Sequence, residues 1–260
     1  MKQTSLLDLL CSRDTCVPRK EHYARILCGE VFVDGECLRD AQALVLLSAS
    51  VEHRPRRRYV SRGGDKLDGI LQQWSIDVSG MSFIDAGAST GGFTDCLLQH
   101  GASRVVAIEI GRNQLDFRLR RDPRVTALEN TNIMSVQTLP FVPEAAVADL
   151  SLRSLRKAAI HILGLVSQNW LIALVKPQYE WITQPAAFKG VVSHDPALPS
   201  ILQSLFQDLQ REGAFVSRIA MSELPGRKGN REFFCQLTTQ RDRNCEDLSR
   251  MIAVAVGQKD

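Results

Sequence analysis

Two ionisable residues stand at the ends of apolar runs that are typical of buried strands. Lys176 follows the run 171–175 and is itself followed by Pro177, and Asp149 lies near the end of the run 146–150. Wholly apolar runs indicate a parallel sheet covered on both faces, and Pro ends such a strand, so both polar groups are expected at one edge of the sheet. A lysine amine beside a carboxylate is able to accept a proton from a hydroxyl group or to orient it. A purely structural ion pair is the alternative.

Lys66 and Glu232 are further candidates for the same chemistry. Lys66 follows a Gly-Gly pair in the segment that enters the predicted sheet, and Glu232 immediately precedes the predicted strand 233–238. Groups of this kind position a hydroxyl and remove its proton during in-line attack on a methyl carbon. The sequence therefore predicts a group-transfer site with Lys66, Asp149, Lys176 and Glu232 as its catalytic residues.

A glycine-rich segment joins the first predicted strand of this sheet to the next helix. Glycine lets the backbone approach a ligand closely, and the start of a helix offers free N–H groups. Three residues separate Gly87 from Gly91, which excludes the Gly-x-Gly-x-x-Gly spacing that cradles a dinucleotide phosphate. S-adenosylmethionine has no phosphate and is the cofactor that we expect here. The predicted cofactor-binding residues are Asp85, Gly87, Ala88, Ser89, Thr90, Gly91, Gly92, Phe93, Glu109 and Asp149.

The two acids outside the loop have different expected roles. Glu109 stands 22 positions after Gly87, at the predicted end of the second strand. A carboxylate there is a suitable acceptor for both ribose hydroxyls of the cofactor. Asp85 precedes the loop and is expected to orient the amino-acid end of the cofactor through backbone or water.

Apolar runs alternate with helical stretches from about residue 60, which is the pattern of an α/β fold. Seven strands are predicted, at 83–86, 105–109, 125–128, 146–150, 171–176, 216–221 and 233–238. The short link between the last two, residues 225–230, is rich in Gly and basic residues. It predicts a hairpin connection rather than a helix, so these strands should pair antiparallel. The pattern resembles the Rossmann-like class I methyltransferase fold with its seven-stranded mixed sheet.

Residues 1–58 predict a small α+β domain that precedes the sheet. Helices are expected over 5–11 and 18–28, followed by a hairpin that turns at Asp34-Gly35 and a third strand over 43–47. This order resembles the RNA-binding module of ribosomal protein S-four, whose second helix and hairpin present basic residues to RNA. A packing module without a ligand is the alternative.

The positive charge of the chain is concentrated near its N-terminus. Residues 1–62 hold 11 Lys and Arg against 8 Asp and Glu, and the remaining charges cancel. A basic region of this kind is expected to face a polyanion, and a solvated linker is the alternative. His22 matches the basic helix of the RNA-binding module, whereas Asp34, Glu36 and Asp40 make the hairpin more acidic than in that module. The predicted RNA-binding residues are Arg19, Lys20, Arg25, Arg56, Arg57, Arg58 and Arg62.

Composition limits the class of protein. A chain with 44% hydrophobic and 23% charged residues is typical of globular proteins. Its seven cysteines contain no Cys-x-x-Cys pair, which favours free thiols in a reducing compartment. Neither a secretion signal nor an apolar stretch of about 20 residues is present. We therefore expect a cytoplasmic protein without stable membrane association, and no metal-ligand spacing is apparent. The sequence does not indicate an oligomeric state.

Five short motifs carry a resemblance that covers nearly the whole chain. They are YVSRGGDKL at 59–67, DAGASTGGFTD at 85–95, LVKPQYE at 174–180, GVV at 190–192 and GNREF at 229–233. Together they resemble the TlyA family of ribosomal RNA 2′-O-methyltransferases, which are often named haemolysins and are related to the FtsJ methyltransferases. The resemblance implies an S-four-type RNA-binding domain with a basic linker over 1–58 and an FtsJ-like methyltransferase domain over 59–260.

The resemblance also implies an activity and a site. It implies S-adenosylmethionine-dependent methylation of ribose in ribosomal RNA, with ribosomal RNA or ribosomal subunits as partners. Its Lys-Asp-Lys-Glu tetrad falls on Lys66, Asp149, Lys176 and Glu232. The chain departs from the family pattern near the expected RNA entrance, at Leu152, Arg153 and Ser193, which bears on the choice of nucleotide.

Two functions of other classes stay open at this point. One is an RNA-binding or ribosome-assembly factor without activity, against which the complete tetrad argues. The other is a membrane-lytic protein, as the haemolysin names of the family suggest. Neither a membrane-spanning run nor a long alternating run supports it.

Overall fold

A computed structural model describes residues 2–53, 58–151, 154–186, 188–192, 195–241 and 247–257. The chain divides into two units, Met1–Arg58 and Tyr59–Asp260. Five residues that the sequence analysis singled out lie outside the described ranges, namely Arg56, Arg57, Leu152, Arg153 and Ser193.

The first unit combines two helices with short strands. The helices are α1, Leu6–Arg13, and α2, Arg19–Leu27. The strands are β1, Gln3–Ser5, β2, Val31–Val33, β3, Glu36–Cys37, β4, Leu44–Leu46, and β5, Val51–His53. Ser5 begins α1 as its N-cap, because its hydroxyl oxygen accepts a hydrogen bond from the Asp8 amide.

The hairpin of β2 and β3 turns at the predicted residues. Asp34 and Gly35 have positive φ angles of 49° and 87°, as a tight two-residue turn requires. The predicted strand at 43–47 forms β4, but it pairs with β1. The third strand of the hairpin sheet is instead β5, which pairs with β2. Local sequence predicted the strand conformation of β4 but not its partner, and it did not indicate β5.

The core of the first unit contains a residue that was expected at its surface. His22 is fully buried, and its Nε2 lies 3.1 Å from the Asp14 carbonyl oxygen. Although His22 matches the basic helix of the RNA-binding module in sequence, its side chain packs in the core of the unit. The apolar face of α1 forms most of the remaining core, with Leu6, Leu7, Leu9 and Leu10 packed against Ile26 and Val31.

Seven strands form one mixed sheet in the second unit. They are β6, Ser82–Ala86, β7, Arg104–Ile108, β8, Val125–Leu128, β9, Ala145–Ala148, β10, Trp170–Val175, β11, Phe215–Met221, and β12, Phe233–Thr238. Their order is β11-β12-β10-β9-β6-β7-β8. β12 pairs antiparallel with both β10 and β11, and the other neighbours pair parallel. The predicted α/β fold with its antiparallel final pair is confirmed.

Helices cover both faces of this sheet. They are α3, Arg62–Gln73, α4, Gly92–Gln99, α5, Phe117–Arg121, α6, Leu155–Leu163, α7, Pro177–Glu180, α8, Leu198–Arg211, and α9, Leu248–Val256. Among the described residues, no helix combines the length and apolar character needed to cross a membrane.

Successive residues of the central strands belong to two separate hydrophobic cores. In β6, Phe83 packs with residues of α3 and α4, whereas Ile84 packs with residues of α6 and α8. Every residue of β6 and β9 is buried, as expected for strands covered on both faces. A buried sheet of this kind leaves polar side chains room only at its edges and strand ends.

Candidate active site

Lys176 and Asp149 form an ion pair just beyond the ends of neighbouring parallel strands. Lys176 follows β10 and Asp149 follows β9, and the Nζ and Oδ1 atoms are 2.5 Å apart. Lys176 Nζ also donates a hydrogen bond of 3.1 Å to Ser151 Oγ. The lysine side chain is only 12% exposed, whereas that of Asp149 is 29% exposed. Asp149 is therefore the member of the pair that is more accessible to solvent and to an incoming ligand.

Lys66 and Glu232 form a second and more deeply buried pair. Lys66 lies in the first half of α3, and Glu232 immediately precedes β12. Lys66 Nζ and Glu232 Oε2 are 2.5 Å apart, and the side chains are 10% and 4% exposed. Removal of either charge would leave the other buried without a partner, which is costly in free energy.

The register of the sheet brings the two pairs to the same edge. Val175 of β10 is the antiparallel partner of Phe233 of β12. Lys176 and Glu232 therefore occupy the next positions on two adjacent strands. The four predicted catalytic residues come from four separate segments of the chain and meet where β9 and β10 end and β12 begins.

The glycine loop lies beside this edge. Gly87 has a φ of +83°, and a Cβ atom there would lie 2.6 Å from the Asp149 carbonyl oxygen. Only glycine fits so close to the neighbouring strand end. Ser89 and Thr90 are exposed, whereas Ala88, Gly91 and Gly92 are buried. The exposed middle of the loop is thus the part that is able to touch a cofactor.

Phe93, one of the predicted cofactor-binding residues, has an aromatic side chain that packs in the core. Its ring is buried and stacks on Phe234, with the ring centroids 6.1 Å apart. Gly92 is enclosed by Ser61 and Gly64, so that a side chain there would collide with α3. Both residues therefore pack the first turn of α4 against the core.

Glu109 directly follows β7 and holds two loops. Its Oε2 accepts a hydrogen bond of 2.8 Å from the Ser89 amide, and its Oε1 accepts one of 2.6 Å from the Gly111 amide. Each carboxylate oxygen has a second lone pair, so these bonds leave capacity for the ribose hydroxyls that the sequence predicts. Gly111 was missed, since no motif distinguishes a loop amide.

Asp85 is fully buried below the loop. Its Oδ2 accepts hydrogen bonds from the Thr94 amide at 2.9 Å and the Thr94 hydroxyl at 2.6 Å. Burial, with smaller contributions from the negative charges of Asp149 and Glu109, raises the pKa of Asp85 from 3.8 to about 7. The Thr94 bonds act in the opposite direction. Asp85 therefore anchors the start of α4. Asp85, Glu109 and Asp149 together make the surroundings of the loop acidic.

Asp85→Asn is expected to remove part of the pH dependence of stability. Folded Asp85 keeps a proton that the unfolded chain releases above pH 3.8, so its contribution to stability falls as the pH rises from about 4 to about 7. Asn keeps an acceptor for Thr94 and has no charge to bury. The melting temperature of the variant should therefore fall less than that of the wild type between pH 4 and pH 7. The exposed Asp77→Asn is the matched control, and parallel curves for all three proteins would contradict this account.

A buried network, which the sequence analysis did not predict, fixes the segment after Lys176. Glu180 accepts hydrogen bonds from Ser154 Oγ at 2.5 Å, from the Leu155 amide at 2.8 Å and from Arg156 Nη1 at 3.0 Å. Arg156 Nε also contacts Asp208 at 2.7 Å. The network joins α7, which begins after Lys176, to the start of α6. The motif that contains Lys176 also contains Glu180, and this was the available signal.

Glu180→Ala is expected to destabilise the second unit by about 3 kcal/mol, because Leu155 and Arg156 lose a buried acceptor. Burial raises the pKa of Glu180 while Arg156 opposes that shift, so the loss combines hydrogen bonds and charge. Urea unfolding followed by tryptophan fluorescence measures it. The exposed Glu212→Ala is the control, and equal midpoints for the two variants would refute a role for this network.

Asn230 connects another family motif to the site. It is buried, its Oδ1 accepts a hydrogen bond from the Val192 amide at 3.0 Å, and its Nδ2 donates one to the Gly190 carbonyl at 2.8 Å. Because Glu232 lies two positions later, Asn230 holds the segment 190–192 next to the Lys66 and Glu232 pair. The sequence analysis quoted both motifs without predicting this contact.

The predicted RNA-binding residues have different surroundings. Arg19 forms an ion pair of 2.7 Å with Asp8, and Arg25 pairs with Glu21. Lys20 and Arg58 are exposed. Arg62 donates a hydrogen bond of 2.6 Å to the Pro225 carbonyl in the link between β11 and β12. The paired arginines offer a weaker charge to a polyanion than their sequence suggests.

The mixed seven-stranded sheet, the glycine loop and the two lysine–carboxylate pairs define a class I methyltransferase. The FtsJ-like methyltransferase family matches residues 59–239. A Mycobacterium tuberculosis protein named 16S/23S rRNA (cytidine-2′-O)-methyltransferase TlyA is 37% identical over 246 residues, which are 90% of this chain and 89% of that protein. The chain therefore belongs to the TlyA family of FtsJ-like methyltransferases, as the motifs predicted.

Other relatives have haemolysin names. Hemolysin A of Brachyspira hyodysenteriae is 34% identical over 212 residues, which are 80% of this chain and 88% of that protein. A solved structure from Streptococcus thermophilus with a hemolysin name has a TM-score of 0.73 and 29% identity, and the match covers 99% of this chain and 96% of that one. Haemolysin names therefore occur among both the sequence relatives and the structural relatives of this chain.

The site suits S-adenosylmethionine, the cofactor of this family. The cofactor has a sulfonium and an ammonium group, and three carboxylates, Asp85, Glu109 and Asp149, lie near enough to act on one another. An acidic site attracts such a ligand. Gly87 lets the loop lie directly against the Asp149 backbone and so brings the loop beside the Lys176 and Asp149 pair. Glu109 would hold the ribose of the cofactor, and the exposed loop residues Ser89 and Thr90 would border it.

Proposed function

We propose that this protein methylates the ribose 2′-oxygen of a nucleotide in ribosomal RNA. The observation that carries the proposal is the meeting of two lysine–carboxylate pairs at one sheet edge beside the glycine loop. In-line transfer of a methyl group needs an oriented hydroxyl and a route for its proton. The relatives named as cytidine-2′-O-methyltransferases support cytidine as the acceptor nucleotide.

Each pair has a distinct task in this proposal. Lys176 orients the ribose hydroxyl and takes its proton, and Asp149 holds the amine at 2.5 Å. Oδ1 of Asp149 is buried against this amine, so the carboxylate acts on the ribose through Lys176. Lys66 and Glu232, which are more deeply buried, position the ribose. S-adenosylmethionine, when bound, supplies the electrophilic methyl group.

The first unit supplies RNA affinity in this proposal. Its α2 carries Arg19, Lys20 and Arg25 on the exposed part of the helix, and Lys and Arg contacts to phosphate provide affinity that does not depend on base sequence. Arg19 and Arg25 must exchange their carboxylate partners for phosphate. We propose a ribosomal subunit as the substrate, because a small module of this kind contacts only a limited part of an RNA.

The test is transfer of a radiolabelled methyl group from S-adenosylmethionine to ribosomal subunits that lack the modification. Digestion to nucleosides should place the label on 2′-O-methylcytidine. Label on a base would refute ribose as the acceptor, and label on another ribose would refute cytidine. Absence of transfer despite cofactor binding would favour an RNA-binding factor. Leakage of liposomes in the absence of any methyl transfer would favour the lytic alternative.

A further inference from the structure

Three metal-ligating side chains form a cluster on the two helices that flank the glycine loop. They are Asp68 of α3, Cys96 of α4 and His100, which caps the C-terminus of α4. One carboxylate oxygen, one sulfur and one ring nitrogen lie within 4.8 Å of one another. None of these residues belongs to the lysine–carboxylate pairs, so the cluster needs an explanation of its own.

Helical geometry explains how the cluster forms. Cys96 and His100 are four positions apart and therefore lie on one face of a helix. Asp68 lies on α3, and its Oδ1 is 2.7 Å from His100 Nε2. Gln72 Nε2 donates a further hydrogen bond of 3.0 Å to the same oxygen. Two neighbours thus orient the carboxylate toward α4. Asp68 lies far from Cys96 and His100 in the sequence, so a search for local metal-ligand spacing does not detect the cluster.

The donor set and its burial select the kind of cation. Cys96 is fully buried, whereas His100 and Asp68 are 25% and 15% exposed. The thiol lies at the inner end of the cluster and the other two donors lie at its accessible end. A sulfur, an imidazole nitrogen and a carboxylate oxygen are ligands of Zn²⁺, whereas Mg²⁺ and Ca²⁺ prefer oxygen alone.

We propose that Asp68, Cys96 and His100 bind a Zn²⁺ ion, with water as the fourth ligand. Binding requires His100 and Asp68 to exchange their hydrogen bond for metal bonds. Ligand bonds of about 2.0 to 2.1 Å in a tetrahedron separate the nitrogen and oxygen by about 3.3 Å. The present separation of 2.7 Å must therefore increase by about half an ångström, which a rotation of the imidazole and carboxylate provides. The proton of the Cys96 thiol leaves as the metal binds.

The ion would join the helix that carries Lys66 to the helix that starts at the glycine loop. Metal binding to the folded chain alone stabilises it by mass action. Zn²⁺ at about 100 times its Kd is expected to raise the melting temperature of the second unit by about 7 °C. This inference does not depend on the proposed methyl transfer, because its readouts are binding and stability.

Co²⁺ is the spectroscopic probe for the site. The metal-free full chain is titrated with Co²⁺ after the four cysteines of the first unit, none of which is buried, are replaced by Ser; they are Cys11, Cys16, Cys28 and Cys37. We expect the visible absorption of tetrahedral Co²⁺ and a thiolate-to-cobalt charge-transfer band, both removed by added Zn²⁺. Mg²⁺ should neither displace Co²⁺ nor raise the melting temperature.

Variants distinguish Co²⁺ binding at this cluster from Co²⁺ binding elsewhere on the chain. Cys96→Ser should abolish the charge-transfer band, and His100→Gln should weaken Co²⁺ binding at least about tenfold. His100 is partly exposed, so its variant keeps the measurement valid if the buried Cys96 variant fails to fold. His161→Gln is the matched control and should bind as the parent does. The proposal is wrong if the parent gives no tetrahedral spectrum, or if His100→Gln binds Co²⁺ as tightly as the parent.

Discussion

Lys176→Ala is expected to reduce the turnover number of methyl transfer by about 10³-fold, within the usual range for loss of an acid–base group. The affinity for S-adenosylmethionine should change little, because the lysine contacts Asp149 and Ser151 rather than the loop. Single-turnover methyl transfer to the RNA substrate and calorimetric cofactor binding, measured on the same preparation, check both parts.

Lys176→Arg separates the two roles that the amine is able to play. Arg keeps the positive charge beside Asp149 but does not lose its proton in a protein. If Lys176 accepts the proton, the Arg variant should be as inactive as the Ala variant. If it only orients the hydroxyl, substantial activity should return. The exposed Lys157→Ala is the matched control, and wild-type turnover in Lys176→Ala would exclude this lysine from the reaction.

Glu232→Gln is expected to destabilise the second unit as strongly as Glu180→Ala. The change leaves Lys66 charged and buried without its partner, which costs about 3 kcal/mol in pairs of this kind. The melting temperature should fall by about 8 °C for a unit of this size. Methyl transfer should fall as well, since the same amine is expected to position the ribose. Urea unfolding followed through Trp74, Trp170 and Trp181 reports the second unit.

The double variant Lys66→Met/Glu232→Gln completes this test. Removing both charges should recover most of the lost stability without restoring activity, because an apolar side chain and an amide tolerate burial better than a single charge. Recovery of stability without recovery of methyl transfer would show that the pair is required for the reaction rather than for stability. If the single variant is as stable as the wild type, the pair is not the buried contact that its geometry indicates.

The sheet was predictable because its strands are continuous apolar runs with polar residues only at their ends. The run before Lys176 and the short link between the last two strands are local features, and each has a single structural interpretation. Two of the proposed catalytic positions, Asp149 and Lys176, followed from the same signal, since charge is tolerated only beyond the buried part of a strand. Family motifs then placed Lys66 and Glu232, which have no apolar run directly before them.

Contacts between distant segments were not predictable in the same way. The partner of β4 is β1 rather than the hairpin, and no residue in either strand indicates that choice. His22 is polar and sits in a basic helix, yet it is buried because α2 packs that face against the rest of the first unit. Glu180 and Arg156 lie 24 positions apart, so their bond follows from the fold and not from spacing.

The position of β12 in the sheet has a consequence for biosynthesis. β12 is the last strand in the sequence but lies between β10 and β11, and Glu232 enters the site with it. A ribosome making this chain completes β10 and its lysine well before β12 emerges. Until β12 is inserted, β11 has no neighbour in the sheet and Lys66 has no carboxylate partner. The site that we propose is therefore incomplete until β12 has taken its place in the sheet.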